Sequence, residues 1–353
     1  MKHEVLIVGA GVAGLSLGRR LRERGLEVAI LERARGVGGR CASWTLEGRR
    51  VDPGVPMLHG TSALFLDAVS NLPGCTAVLD WPYHLRGSGT PCQPQAYRSR
   101  GRRLALAEGV SCFPKQLAAG QAVELETEVR GLRLEGPGFV LQTGRGERRA
   151  ETVILTTPVE ETLALLAGLD GNGWAELRAL QQTLRTTFTV PCLTLVAGYP
   201  EAPKLDFHLI LPGGGSPIHS LIHDSSKRPG TGPGAVLVIQ GQPGFSRERM
   251  ESDEASWSEE LLGAAAALLG DWAARPTFRR AHRWRYARLL RGGELAHPAL
   301  LRWPEGARLG LCGEAFNPAG GVEGAFLSGL ELAARLASDA ATSVEPAATG
   351  EEA

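Results

Sequence analysis

The chain has no net charge to speak of. Its 38 Lys and Arg residues balance 38 Asp and Glu residues over 353 positions. A chain so balanced has no long-range field to gather nucleic acid or an acidic membrane surface, and neither is expected as a partner. Lysine itself is scarce: only Lys2, Lys115, Lys204 and Lys227 occur, and arginine supplies the remaining positive charge. The six cysteines, at 41, 75, 92, 112, 192 and 312, are scattered with no C-x-x-C pair. A metal site needs clustered ligands, so none is expected. No secretion signal is visible. The apolar run Val5–Leu17 has glycines at fixed spacing, an acidic residue before it and no cleavage motif after it. Free thiols in a reducing cytoplasm are therefore expected. No stretch reaches the roughly 20 apolar residues of a membrane span. What the chain does have is length enough for about two domains, or one interleaved fold, and ordinary apolar content at 43 %. Such a chain buries a core without a disulfide or metal staple.

The first 32 residues read as a βαβ unit. Glu4–Val8 is a short apolar run, hence a buried parallel strand. Gly9–Gly14 is a glycine turn, Leu15, Leu17 and Leu21 mark a helix stopped by Gly25, and Leu26–Leu31 is the second strand. Further on, Thr61–Leu72 reads as a helix capped by Thr61 or Ser62 and Lys115–Ala119 as a short helix. Residues 122–150 alternate as a three-stranded meander, followed by a separate buried strand Thr152–Leu155. Strands of a second sheet are expected at Pro191–Ala197, His208–Leu211, Ser220–Ile222 and Ala235–Gln240, and a further strand at Thr277–Ala287. An amphipathic helix spans Asp253–Leu269 with Ser252 as its cap. Arg308–Cys312 is a last strand, and a helix from Gly320–Gly321 runs to about Ala337. The final residues, 339–353, lack apolar content and read as a disordered tail.

Three motifs carry chemistry. Gly9-Ala10-Gly11-Val12-Ala13-Gly14 lies between strand and helix, the setting a dinucleotide fingerprint requires. Gly9 permits the tight turn, Gly11 lets backbone approach a pyrophosphate, and Gly14 lets helix meet sheet. The helix N-terminus offers N–H groups to phosphate. Glu32, followed by Arg33, ends the second strand, where a carboxylate can hold ribose hydroxyls. Next comes Arg35-Gly36-Val37-Gly38-Gly39-Arg40, with Gly39 for close backbone approach and Arg40 as counter-charge. Near the C-terminus, Gly310-Leu311-Cys312-Gly313-Glu314 and Gly320-Gly321-Val322-Glu323-Gly324-Ala325 repeat the strand, turn and helix start.

Together these segments resemble the renalase-like branch of the FAD-dependent amine oxidase superfamily, over about residues 3–337. Val51-Asp52-Pro53-Gly54, Phe113-Pro114-Lys115, Ser225-Ser226-Lys227, Phe245-Ser246, the strand His282–Ala287 and the helix Val322–Gly329 add to it. The resemblance implies an α/β fold of amine oxidase and p-hydroxybenzoate hydroxylase type, a Rossmann-type FAD domain interleaved with an antiparallel substrate sheet. The FAD domain would comprise 1–72, 104–168 and 305–338, and the substrate domain 73–103 and 169–304. It implies FAD, bound non-covalently, near Gly9, Gly11, Ala13, Gly14, Glu32, Arg33, Gly39, Arg40, Val129, Gly313, Glu314, Gly321 and Val322. Val129 takes the adenine-contacting position, Glu314 the ribityl position, and the helix start at Gly321-Val322 the pyrimidine edge of the flavin. There the positive end of the helix stabilises reduced flavin. The sequence also departs from the family: Glu314 replaces the usual Asp, Pro53, Val55 and Pro56 replace the family's Leu, Ala and Gln, and Gly321 stands where many members have Arg.

His282, Trp284 and Tyr286 share one face of a strand by period two and are candidates for stacking on a flat ring, or equally for core. No acid or base is singled out. Monoamine oxidation usually places a lysine beside flavin N5, and Lys227 falls in the substrate-domain segment instead. The resemblance therefore implies oxidation of 2- or 6-dihydro isomers of NAD(P)H, with hydride passing to the flavin and O2 as acceptor to give hydrogen peroxide. Oxidation of an amine or a C–C bond, a non-redox flavin-dependent isomerase or mutase, and a flavin-binding protein without catalysis are the other readings.

Overall fold

The apolar runs fold as parallel strands buried on both faces, and the alternating segments as antiparallel ones. In a computed structural model, residues 2–97, 101–172, 174–228, 230 and 234–342 are described. Strand β1 (Lys2–Val8), helix α1 (Val12–Arg22) and β2 (Val28–Leu31) form the expected unit. Leu6, Ile7 and Ile30 are fully buried, as a central parallel sheet demands. Strand β3 (Ala122–Glu124) pairs in parallel with β2 rather than opening the meander. The meander is β4 (Val129–Glu135), β5 (Gly138–Thr143) and β6 (Gly146–Leu155). The separate strand expected at Thr152–Leu155 is the second half of β6. The first half pairs antiparallel with β5, and the second half lies parallel to β1.

The second sheet contains β7 (Thr189–Tyr199), β8 (Leu209–Ile210), β9 (Ile218–His223), β10 (Ala235–Gly241) and β11 (Phe278–Leu289). Its order is β11-β7-β10-β9-β8, all antiparallel, ending on the short parallel strand Leu85–Arg86. Helix α2 (Glu254–Leu269) covers one face, with Trp257 fully buried. Its cap is Asp253, which accepts the Ser256 N–H at 3.0 Å, rather than Ser252. The chain then returns to the first sheet through β12 (Ala299–Arg302) and β13 (Arg308–Leu311), the latter parallel to β6. It ends in α3 (Gly321–Thr342), which packs along α1. Residues 339–342 of the expected tail are thus helical, and 343–353 lie outside the described residues.

Two expectations about side chains are corrected. Cys75 and Cys112 form a disulfide, with Cα atoms 6.6 Å apart, while Cys41, Cys92, Cys192 and Cys312 are free. Both bridged residues pack on the core around α1, which brings positions 37 residues apart together. Ser62 is the N-cap of the helix Ala63–Ser70 by position, but its hydroxyl caps nothing. The carboxylate of Glu323 in α3 instead holds the segment that leads into this helix, accepting the N–H groups of Thr61 and Ser62 at 2.7 and 2.6 Å. Among the described residues no helix is long and apolar enough to cross a membrane.

Candidate active site

A cavity of about 1,100 Å³ lies between the C-terminal ends of the parallel strands and the second sheet. That is where an open α/β sheet binds its ligand. The glycine turn shapes one end. A Cβ on Gly9 (φ +105°) would lie 2.7 Å from Thr156 Oγ1, and one on Gly14 would lie 2.2 Å from the Gly9 carbonyl. Those two glycines are required by the protein's own packing. Gly11 differs: a Cβ there meets nothing within 4 Å, and the residue borders the cavity. A side chain there would enter the cavity rather than the protein. Glu32 is buried and fixes the turn, its carboxylate accepting the N–H groups of Ala10 and Ala34 at 2.8 and 2.7 Å.

Most of the expected cofactor residues meet here. Gly9, Gly11, Glu32, Arg33 and Gly39 line the cavity, as do Arg40, Val129, Glu314, Gly321 and Val322. Arg33 is paired with Glu161 at 2.7 Å. Arg40 is paired with Glu314 and also donates to the Ala287 carbonyl at 3.3 Å. Ala13, Gly14 and Gly313 do not reach the cavity. Ala13 is buried beside α3, Gly14 packs on Ile7 and Thr156, and Gly313 is tied to Ser328. Their place in the motif comes from helix packing, which a sequence pattern does not separate from ligand contact.

At the start of α3, Gly321 has φ +56°, and a Cβ would lie 2.2 Å from Gln93 Nε2. Gln93 in turn contacts His59 Nε2. The small residue at 321 therefore makes room for a Gln93–His59 pair at the cavity wall, a consequence the sequence did not announce.

The opposite wall is the face of the second sheet. His282, Trp284 and Tyr286 all border the cavity. The rings of His282 and Trp284 lie 4.2 Å apart at 67°, and Trp44 meets His282 at 5.6 Å. Trp284 rests against Gly54, where a Cβ would come within 3.2 Å of the indole. The indole Nε1 is buried without a hydrogen-bond partner. The register of β7 against β11 shifts between the pairs Cys192–Trp284 and Val190–Arg288, which bends the strand at Tyr286. Beyond the bend, Arg288 donates to Cys92 Sγ, and Cys92 lies 2.6 Å from His219 Nε2. Burial, reinforced by the Arg288 charge, pushes His219 down to about 4. Burial also lowers His59 and His282. The cavity histidines are therefore neutral near pH 7.

Lys227 stands apart from the cavity wall. It is fully buried, 2.7 Å from Asp52, 2.6 Å from Asp224 and 2.9 Å from the Pro56 carbonyl. Arg228 completes the cluster with Asp52 and Asp224. Sequence reading placed Lys227 in the substrate domain but did not foresee these partners, because Asp52 is 175 positions away.

A glycine cradle that leaves space at Gly11, a carboxylate at the end of β2 and a cavity closed by a second sheet define a flavin-dependent oxidoreductase that uses FAD. Comparison with known proteins fixes the family. Residues 7–69 match an NAD(P)-binding Rossmann-like domain, and residues 75–337 match flavin containing amine oxidoreductase. The chain belongs to the flavin containing amine oxidoreductase family. Cyclohexylamine oxidase from Brevibacterium oxydans superposes with a TM-score of 0.72 at 14 % identity, over 96 % of this chain and 99 % of that one. Putrescine oxidase bound to putrescine gives 0.69 at 15 % identity, with the same coverage. At such identity these two show the fold. In Arabidopsis thaliana, flavin-containing monooxygenase FMO GS-OX-like 3 is 32 % identical over 133 residues, which are 36 % of this chain and 28 % of that protein. Putative flavin-containing monooxygenase FMO GS-OX-like 11, from the same organism, is 31 % identical over 135 residues, 36 % of this chain and 76 % of that protein. The match therefore spans little more than a quarter of the first of these relatives.

Proposed function

We propose that the protein is an FAD-dependent oxidase of isomeric dihydronicotinamides, the 2- and 6-dihydro forms of NAD(P)H, with O2 as acceptor and hydrogen peroxide as product. FAD, when bound, supplies hydride acceptance. The residues of the chain provide position. Gly9, Gly11 and Arg40 would hold the pyrophosphate, Glu32 the ribose, and the N-terminus of α3 at Gly321-Val322 the electron-rich edge of the ring. Trp284 is the observation that carries the substrate reading. It presents an aromatic body to the cavity beside Gly54, and a buried indole N–H with no partner. A dihydronicotinamide offers the feature that matches the aromatic body, a flat ring to pack on. The neutral state of His59, His219 and His282 suits a substrate that loses hydride from carbon without a prior proton transfer.

The names of the similar structures favour a second reading, an amine substrate. Putrescine and cyclohexylamine are cations at neutral pH, and the cavity charge next to the aromatic wall is the Arg288 guanidinium, with Glu294 and Glu314 bordering the cavity further on. The guanidinium charge opposes these cations. Cys41 and Cys192 also border the cavity. Burial above all raises the Cys41 thiol to about 12 and raises Cys192 as well, so both stay protonated and unreactive. Non-covalent attachment of FAD is in keeping with this, and denaturation with acid should release the yellow colour into the supernatant.

The deciding experiment is an anaerobic titration of the purified yellow protein with aged NADH, which contains the dihydro isomers. The flavin bands should bleach at once and return with air. Bands that stay unbleached by aged NADH but bleach with cyclohexylamine would transfer the assignment to amines. Trp284→Ala should slow the bleaching and leave flavin content unchanged, and loss of the flavin from that variant would remove Trp284 from the substrate wall.

A further inference from the structure

We propose that Arg288 anchors an oxyanion subsite in the substrate half of the cavity, one that takes a carboxylate or phosphate group of the substrate. This rests on the reading that the space beside Trp284 holds substrate. The first observation is a contrast along one strand. Arg279, Arg283 and Arg285 of β11 are paired with Glu259, Glu254 and Glu251. Arg280 also has no carboxylate partner among the described residues but lies over the Trp44 ring, 4.3 Å from its centroid, whereas Arg288, likewise without a carboxylate, lines the cavity and covers no ring. One arm of its guanidinium donates to Cys92 Sγ, which His219 braces from the other side. The other arm, Nη2, is buried and bonds to nothing. The second observation is the chemistry of the orphaned atoms. Among the described residues, two buried side-chain polar atoms without partners belong to cavity-lining residues: Trp284 Nε1 and Arg288 Nη2. Both are donors, but neither has surface open to the empty cavity, so what this wall offers a ligand is the charge of Arg288 rather than those two N–H groups.

A guanidinium sheltered from water and left one arm short is costly to keep, and an oxyanion offsets that cost better than a neutral acceptor. Cys92 holds one arm of the Arg288 fork, which keeps the charge at this wall. His219, neutral near pH 7, adds no second positive charge. The subsite therefore selects one negatively charged group on a molecule whose flat part lies against Trp284. It lies on the second sheet, one residue beyond Ala287, whose carbonyl accepts from Arg40 at 3.3 Å, so the variant's flavin content decides whether the guanidinium serves substrate or cofactor.

The test uses the purified flavoprotein and two probes, benzoate and inorganic phosphate, each titrated while the flavin spectrum and the tryptophan fluorescence are read. At least one probe should saturate. Arg288→Met should weaken that binding about tenfold or more, the loss of a charged hydrogen bond, with flavin content unchanged. Arg288→Lys should recover part of it. Saturation by phosphate alone assigns the group to a nucleotide phosphate, and saturation by benzoate assigns it to a carboxylate. In the unaltered protein the same probe should raise the concentration of aged NADH needed for half-bleaching. Lack of that competition overturns the proposal without recourse to any variant. It is also overturned if neither probe binds, if Arg288→Met binds them unchanged, or if that variant folds but loses its flavin, which would give the guanidinium to the cofactor. Fluorescence separates the two readings. A protein whose flavin no donor bleaches, yet which binds a probe through Arg288, would keep the subsite and lose the oxidase assignment.

Discussion

Three glycines of one motif have three different reasons to be glycine. Gly9 and Gly14 are hemmed in by Thr156 and by the turn itself, whereas Gly11 faces open cavity. Gly11→Val should therefore fold and fail to retain FAD, because its side chain enters only the cofactor's space. Far-UV circular dichroism like that of the unaltered protein, with no 450 nm band, is the expected result, and retained colour would refute the cofactor placement. The sequence placed Gly11 and Gly14 in one glycine turn between β1 and α1. It did not show which of them touches ligand, since both obey the same spacing. Nor was His219 legible. Its protonation is set by burial and by Arg288, 69 positions away in the chain. An unfolded histidine titrates near 6.5, and in the fold His219 is held down to about 4. Above pH 6.5 both states are neutral and nothing is gained or lost. As pH falls from 6.5 towards 4, the unfolded chain takes the proton first, so stability declines. Urea midpoints should drop between pH 7 and pH 5, and should drop less in His219→Gln.

At the scale of elements, pattern reading succeeded where a segment pairs with its neighbours in sequence and failed where the pairing is distant. The alternation of 129–143 gave the hairpin of β4 and β5 directly. The same alternation ran back to Ala122, yet that short segment leaves the meander to extend the parallel sheet beside β2. β6 was read as two strands because its polar and apolar halves look different. The halves differ because one pairs at the meander edge and the other lies in the sheet centre. Capping shows the same limit. Thr61-Ser62 has the composition of a local cap, but is itself held by Glu323, more than 260 positions on. That carboxylate joins the start of the helix Ala63–Ser70 to the first turn of α3, the turn expected to face the flavin. Glu323→Ala leaves two backbone N–H groups without an acceptor and should cost roughly 1–3 kcal/mol. Glu323→Gln keeps one acceptor oxygen and should cost less. Equal losses in chemical unfolding of the two variants would show that the carboxylate does not hold this segment.

At the scale of the whole molecule, two large sheets flank a cavity, and a buried cluster of four charges ties the second of them to the loop at Asp52. Asp52 follows the short strand Arg49–Val51, which pairs with Trp44–Leu46 as a separate hairpin, and Asp224, Lys227 and Arg228 come from the end of β9 in the second sheet. The cluster's formal charges cancel. Lys227 also donates to the Pro56 carbonyl, which lines the cavity, so the cluster sets the height of the loop against which Trp284 rests. The resemblance of 51–54 and 225–227 to family segments pointed to both ends of this contact without linking them, since neither segment names the other. Removing one member leaves a buried charge uncompensated, and Lys227→Met should cost about 3–5 kcal/mol. Pairing it with Asp52→Asn restores neutrality and should recover part of the loss, a coupling that two independent sites would not show. If instead the two losses add, the cluster is not one unit and the loop is held by other contacts. The same pair of variants separates stability from positioning. Recovered stability with flavin reduction by aged NADH still slow would mean that the Lys227–Pro56 bond aligns the loop beneath the substrate as well as joining it to the second sheet.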